Sequence, residues 1–190
     1  MNNGLLSGLL SPAFQNASRI ASMLEEHYST FNEIAEADID FLSKTLSDTS
    51  PAFYIKIAAS LVSRRGCDRF KFGKKHTFEE IEEYLKHLFF GVGNETVYII
   101  SIGQGEKIIS ADKVSEGTVN FSNVTPRMMI EVAKKRGASS VILAHNHPGG
   151  YAFPSSDDKA ATALLADLFS SSGIKLVKHY VVAGNDCKTV

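Results

Sequence analysis

The sequence predicts an α/β fold, a mixed β-sheet flanked by helices, preceded by an all-helical N-terminal segment. Three observations predict it. Residues 12 to 65 carry apolar side chains at helical spacing: Ile20, Met23, Leu24 and His27 share one face, and Ala52, Ile55, Ala58, Ala59 and Val62 form a stripe after Pro51. From Glu95 onward, runs rich in β-branched residues alternate with helical ones. Within that half, Ser139-Ser140-Val141-Ile142-Leu143-Ala144 reads as a buried strand that ends in a Pro148-Gly149-Gly150 turn.

Taken in order, the N-terminal Leu5, Leu6, Leu9 and Leu10 lack a basic flank and make a poor signal peptide. After Tyr28-Ser29-Thr30 breaks the first helical pattern, Phe31, Ile34, Ala35, Ile39, Phe41, Leu42 and Leu46 continue it, and Ser47-Asp48-Thr49-Ser50-Pro51 is a turn with Pro51 placed to open a helix. Residues 1–65 are therefore expected to form a helical bundle. Residues 66–76 follow as a basic linker: Arg64, Arg65, Arg69, Lys71, Lys74 and Lys75 surround Phe70 and Phe72 with only Asp68 opposing. Basic residues interleaved with aromatics suit single-stranded nucleic acid; a solvated linker explains them as well, and Gly66 and Gly73 favour the linker.

Residues 77–190 make the second domain. Thr77 and Glu80 form a capping box that opens a helix with Phe78, Ile81, Leu85, Leu88 and Phe89 on its core face and glutamates outside. His76 and His87 lack metal-spaced partners and read as surface residues. Glu95 to Ile102 is a strand, Gly103-Gln104-Gly105 a tight turn, Lys107 to Ala111 a returning strand, and Val114 to Phe121 a third. Thr125-Pro126 starts a helix stopped by Gly137; the helix opened by Ser155 ends near Gly173, and Ile174 to Val182 is the last strand, with His179 in it.

Composition sets bounds. A chain of 190 residues with 44% hydrophobic content can bury one real core and a small appendage. A net charge of −1 gives no whole-protein field toward nucleic acid or membrane. Cys67 and Cys187 form no Cys-x-x-Cys pair, which suits a reducing cytosol, and no apolar run approaches the ~20 residues of a membrane span. A cytoplasmic location without membrane association is expected; the oligomeric state is not legible.

The chemistry concentrates at the end of the buried strand. His145 and His147, two apart, project to the same face and offer half of a tetrahedral Zn²⁺ shell. Ser155-x-x-Asp158 opens the next apolar-periodic helix, where Asp158 can return as a third ligand; the same pair resembles a plain capping box, and the two readings are compatible. Asn146 points away from the histidines and reads as fixing the turn.

Ala-His-Asn-His-Pro-Gly-Gly through Pro-Ser-x-x-Asp resembles the JAMM (MPN+) metalloprotease motif, nearest to its bacterial RadC-like branch. The segment Glu116-Gly117-Thr118-Val119 through Val124-Thr125-Pro126-Arg127 is similar to the family's Gly-Thr strand and Pro-Arg helix start, so the resemblance covers about residues 77 to 184. It implies an MPN/JAMM, cytidine-deaminase-like three-layer architecture, with a degenerate helix-hairpin-helix in the N-terminal segment. That module grips DNA phosphates through a Gly-rich turn; here the turn has no glycine, and Asp48 would repel a phosphate, which favours a packing bundle. The family pattern usually continues past Val182 with another short strand.

The resemblance further implies a zinc ion held by His145, His147 and Asp158, with Glu95 as general base and Ser155 as oxyanion donor, although Glu95 by itself reads as a solvated carboxylate at a strand start. His179 is expected to be structural or to act through the ligands. The implied activity is zinc-dependent hydrolysis of a peptide or isopeptide bond in a peptide or protein substrate, by Glu-assisted attack of a metal-bound water. The alternative is a DNA-repair or nucleic-acid-associated accessory protein in which the metal site is structural or vestigial. A nucleoside-deaminase-like hydrolase would need a Pro-Cys-x-x-Cys pair, which Cys67 and Cys187 do not supply.

Overall fold

The structure, a computed structural model, describes residues 3–117 and 125–190. Five helices come first: α1 (Asn3–Leu10), α2 (Ala17–His27), α3 (Phe31–Glu36), α4 (Ile39–Leu46) and α5 (Thr49–Cys67). Their shared core holds Leu6, Leu10, Ile20, Leu24, Ile34, Leu42, Leu46 and Ile55. The leucines near the N-terminus thus form an additional helix whose buried side packs on α2, since Leu6 and Leu10 recur at helical spacing. At the α4–α5 turn Ser47 is left-handed, and Asp48 caps α5 by accepting from Ser50 N at 2.9 Å.

The sheet that follows has the order β2-β1-β3-β4-β5, with strands β1 (Thr96–Ile102), β2 (Ile108–Glu116), β3 (Ser140–Asn146), β4 (Lys175–Ala183) and β5 (Asp186–Thr189). It is mixed: β3 and β4 are parallel through a helical crossover, and the other neighbours are antiparallel. Helix α6 (Phe78–Phe89) covers one face with Ile81, Tyr84, Leu85 and Phe89 against Ile100, Ile142, Ala144 and Tyr180. Helices α7 (Pro126–Lys135) and α8 (Ser156–Ser171) cover the other with Met129, Ala133, Leu165 and Phe169 against Val97, Ile99, Val141 and Leu143. Strand alternation therefore sorts β3 between two cores, and it sends His145 toward α8 and Asn146 the opposite way.

Several expectations change. The two strands expected after Gly105 are one, because no turn intervenes; a bulge between Val97 and Tyr98 in the ladder absorbs the extra residue near Val114. Residues 118–121 of the expected third strand lie outside the described residues. The strand expected to be the last, Ile174 to Val182, is followed by one more, β5, paired with β4 from Tyr180 opposite Thr189 to Ala183 opposite Asp186. In the basic run the charged side chains are exposed, while Phe70 is buried between His76, at 3.9 Å between ring centres, and Tyr84, at 4.3 Å, and the Lys74 backbone bridges to Ile108. Its glycine has a packing role too, since a Cβ at Gly66 would meet the His87 ring at 2.0 Å. His76 and His87 are accordingly half-buried rather than on the open surface.

Candidate metal centre

Three elements converge on one point. His145 lies one residue before the end of β3, His147 begins the turn after it, and Asp158 lies in the first turn of α8. His145 and Asp158 are buried, at 3% and 5% exposure, and the His147 side chain is partly open. Their Nε2 and carboxylate atoms form a tight triangle: His145 Nε2 is 3.1 Å from His147 Nε2 and 3.1 Å from Asp158 Oδ1, and His147 Nε2 is 3.6 Å from Asp158 Oδ2. Ligands around a tetrahedral Zn²⁺ at Zn–N ≈ 2.0–2.1 Å stand roughly 3.3 Å apart, so the spacing fits the ion.

The hydrogen bonds behind this triangle decide where the protons sit. Thr162 Oγ1 donates to the Asp158 backbone carbonyl at 2.6 Å, since a carbonyl only accepts. With its one proton engaged, the hydroxyl accepts from His179 Nδ1, at 2.6 Å. Burial, then the neighbouring His145, push the His179 pKa down to about 3 against the pull of Asp158, so its ring is neutral and its Nε2 bare. That Nε2 accepts from His145 Nδ1 at 2.8 Å, which leaves His145 Nε2 as a lone pair aimed into the triangle. His147 Nδ1 donates to the Tyr151 carbonyl at 3.2 Å, with the same result for its Nε2. Two bare nitrogens and a carboxylate oxygen that face one another repel unless a proton or a cation lies between them. The residues fit a divalent metal ion, and His179 touches the histidine ligand rather than the triangle itself.

Asp158 is prepared for the same task. The capping box is present: Asp158 N donates to Ser155 Oγ at 3.1 Å, and the Ser155 amide and hydroxyl donate to Asp158 Oδ2 at 2.8 and 2.6 Å. Oδ2 is thereby fixed and Oδ1 left to the histidine side. Burial pushes this carboxyl up, but the proximity of His145 and the hydrogen bonds from the Ser155 hydroxyl and amide outweigh it and hold it well below the usual carboxylate range. The capping-box reading of Ser155-x-x-Asp158 is thus present, in a geometry that leaves Oδ1 facing the histidines.

Glu95 directly precedes β1 and is half-buried. In the ladder Val97 lies opposite His145, and extending this antiparallel register by two places sets Glu95 opposite His147, on the same face. Its backbone carbonyl accepts from Gly117 N at 3.0 Å. What holds this strand entry is a residue that spacing had reduced to a turn-former. Asn146 Oδ1 accepts from Thr96 N at 2.8 Å, and its Nδ2 donates to the carbonyls of Val92 and Asn94 at 3.0 and 3.1 Å. Asn146 thus clamps the residues on both sides of Glu95 to the end of the histidine strand. Its position between the histidines was the available signal; its partners, 50 residues or more away, were not.

Residues 75–189 match the model of the RadC-like JAB domain. The chain belongs to that family. It is 30% identical over 161 residues to a UPF0758 protein of Herminiimonas arsenicoxydans, which covers 83% of this chain and 71% of the relative. A UPF0758 protein of Photorhabdus laumondii is also 30% identical, over 171 residues, 89% of this chain and 74% of the relative. The three-layer arrangement and the metal-suited triangle agree with a JAB-type domain. Among the described residues no helix is long and apolar enough to cross a membrane.

Proposed function

We propose that this chain is a zinc-dependent hydrolase of peptide or isopeptide bonds. The observation that supports it most is the convergence of two bare imidazole nitrogens and one oriented carboxylate; Glu95 enters β1 two residues before Val97, the ladder partner of His145. Three protein ligands are the number that catalytic zinc sites use, because the fourth position serves the reaction. When bound, zinc supplies a Lewis acid that polarises the scissile carbonyl and acidifies water.

The remaining steps belong to the side chains. Glu95 takes the proton of the attacking water and hands it to the leaving amine. The Ser155 hydroxyl, bonded to Asp158 in the resting geometry, turns to the oxyanion as charge develops there. Tyr151 and Phe153, 79% and 72% exposed in the loop between His147 and Ser155, give the mouth of the site an apolar rim suited to polypeptide.

Metal content after purification without added metal tests the reading. About one zinc per chain in wild type, lost in His147→Ala, supports it; peptide and isopeptide hydrolysis that Glu95→Gln abolishes completes it. Wild-type protein that takes up no metal when zinc is offered would overturn it and turn attention to the N-terminal bundle.

A further inference from the structure

The helical bundle reaches the metal centre through one short element. Glu36, the last residue of α3, places its Oε2 2.9 Å from the backbone amide of Gly149, in the turn that follows His147. Its other oxygen, Oε1, accepts from Asn32 Nδ2 at 2.5 Å, so the carboxylate is fixed from both ends. Lys56 of α5 closes the end of the same helix by donating to the Ala35 carbonyl at 2.5 Å.

Around Glu36, α3 meets three loops of the α/β domain. A Cβ at Gly93 would lie 2.1 Å from the Glu36 carbonyl oxygen, so the segment leading to Glu95 passes against this helix end at a distance that only glycine allows. Gly184, in the β4–β5 turn, comes within 3.5 Å of Asn32 Nδ2 by the same measure, and Phe31 stacks on Phe90 with ring centres 6.1 Å apart. Between α3 and the 90–94 segment lies a cavity of about 450 Å³ lined by Glu36, Asp38, Lys56 and Asn94, so dense apolar packing does not hold this junction at the carboxylate. A half-buried carboxylate whose charge burial disfavours is kept there by the amide it receives.

We propose that Glu36 is a positioning residue of the metal centre. By pinning Gly149 it restricts the turn from which His147 projects, so the bundle completes the metal site instead of merely accompanying it. The inference rests on the metal-site reading for its consequence, but the pin itself does not. Loosening the residue after a ligand makes the ligand's orientation part of what binding must fix, and outer partners of this kind typically change metal affinity by 10- to 100-fold.

Three full-length variants separate positioning from bulk stability. Glu36→Gln keeps an acceptor for Gly149, Glu36→Asp keeps the charge but falls one methylene short, and Glu36→Ala removes both. In metal-free protein, Gly149 amide exchange should accelerate at least tenfold in the Asp and Ala variants and stay near wild type in Gln. Zinc affinity by chelator competition should fall about tenfold in the same two and be rescued within about threefold by Gln. Folded Asp and Ala variants with wild-type Gly149 exchange would overturn the pin. Faster exchange with unchanged zinc affinity would overturn its role at the metal. A wild type that binds no zinc, with the exchange pattern as expected, would overturn the metal reading and this role with it while leaving the contact itself established.

Discussion

Replacing Asn146 with alanine removes three hydrogen bonds at once, and the structure sets the cost. The Thr96 amide belongs to a residue 1% exposed, so without Asn146 Oδ1 it becomes a buried orphan, worth about 1–3 kcal/mol. The Val92 and Asn94 carbonyls lie nearer to water, which recovers part of their loss. The sum is about 3 kcal/mol, and at about 2–4 °C per kcal/mol for a chain of this size the melting temperature should fall by about 6–12 °C. Asn146→Asp is the sharper probe: it retains an acceptor for Thr96 but faces two carbonyls with negative charge. It should be at least as destabilising at pH 7 and partly recover below about pH 4, where the protonated acid can donate. Urea denaturation gives both free energies, and amide exchange at Thr96 reports the site. A loss under about 0.5 kcal/mol for Asn146→Ala, with Thr96 still protected, would refute the clamp.

Other expectations follow from the same contacts. Thr162→Val keeps shape but removes the hydroxyl that orders the His179 and His145 protons; zinc affinity should fall about tenfold in a chelator competition. Ser155→Ala loses the cap of α8 and two of the bonds at Asp158, so thermal melts should show a loss of about 1–2 kcal/mol. Arg136, through its hydrogen bond, holds the Asp112 carboxyl below its usual range against partial burial, with Ser110 and the Arg136 charge adding to the effect. A depressed carboxyl stabilises above its unfolded pKa and stops doing so as pH falls through the folded one. Arg136→Met should therefore lower stability slightly at pH 7 and leave it unchanged near pH 2, as read by denaturation at the two pH values.

The legible parts of this chain are those in which chemistry and periodicity share a few consecutive residues. Ser139 to Ala144 reads as a strand because its apolar run lies between turn signals, and His145 and His147 inherit one face from strand alternation. Thr77 with Glu80 and Thr125 with Pro126 mark helix starts by local capping, and both helices begin there. Contacts between distant segments stayed hidden. Asn146 and Glu36 act on backbone groups 50 and 113 residues away, which no spacing within a window encodes. The basic run reads as a linker because its charges dominate the composition; Phe70 anchors it through a stack with His76 and Tyr84 that forms only in the fold. The β2 strand reads as two because Asp112 and Lys113 look like a turn, whereas a bulge keeps both in the ladder.

The metal site proposed for His145, His147 and Asp158 is lined by nitrogen and oxygen alone. X-ray absorption at the zinc edge, on protein given one equivalent of zinc, tests it most directly. Zinc at this site should show a shell of nitrogen and oxygen at about 2.0–2.1 Å and the outer-ring signature of two imidazoles, and that signature should be lost in His147→Ala. Sulfur at about 2.3 Å, placing zinc on Cys67 or Cys187, or a spectrum unchanged by His147→Ala, would contradict it.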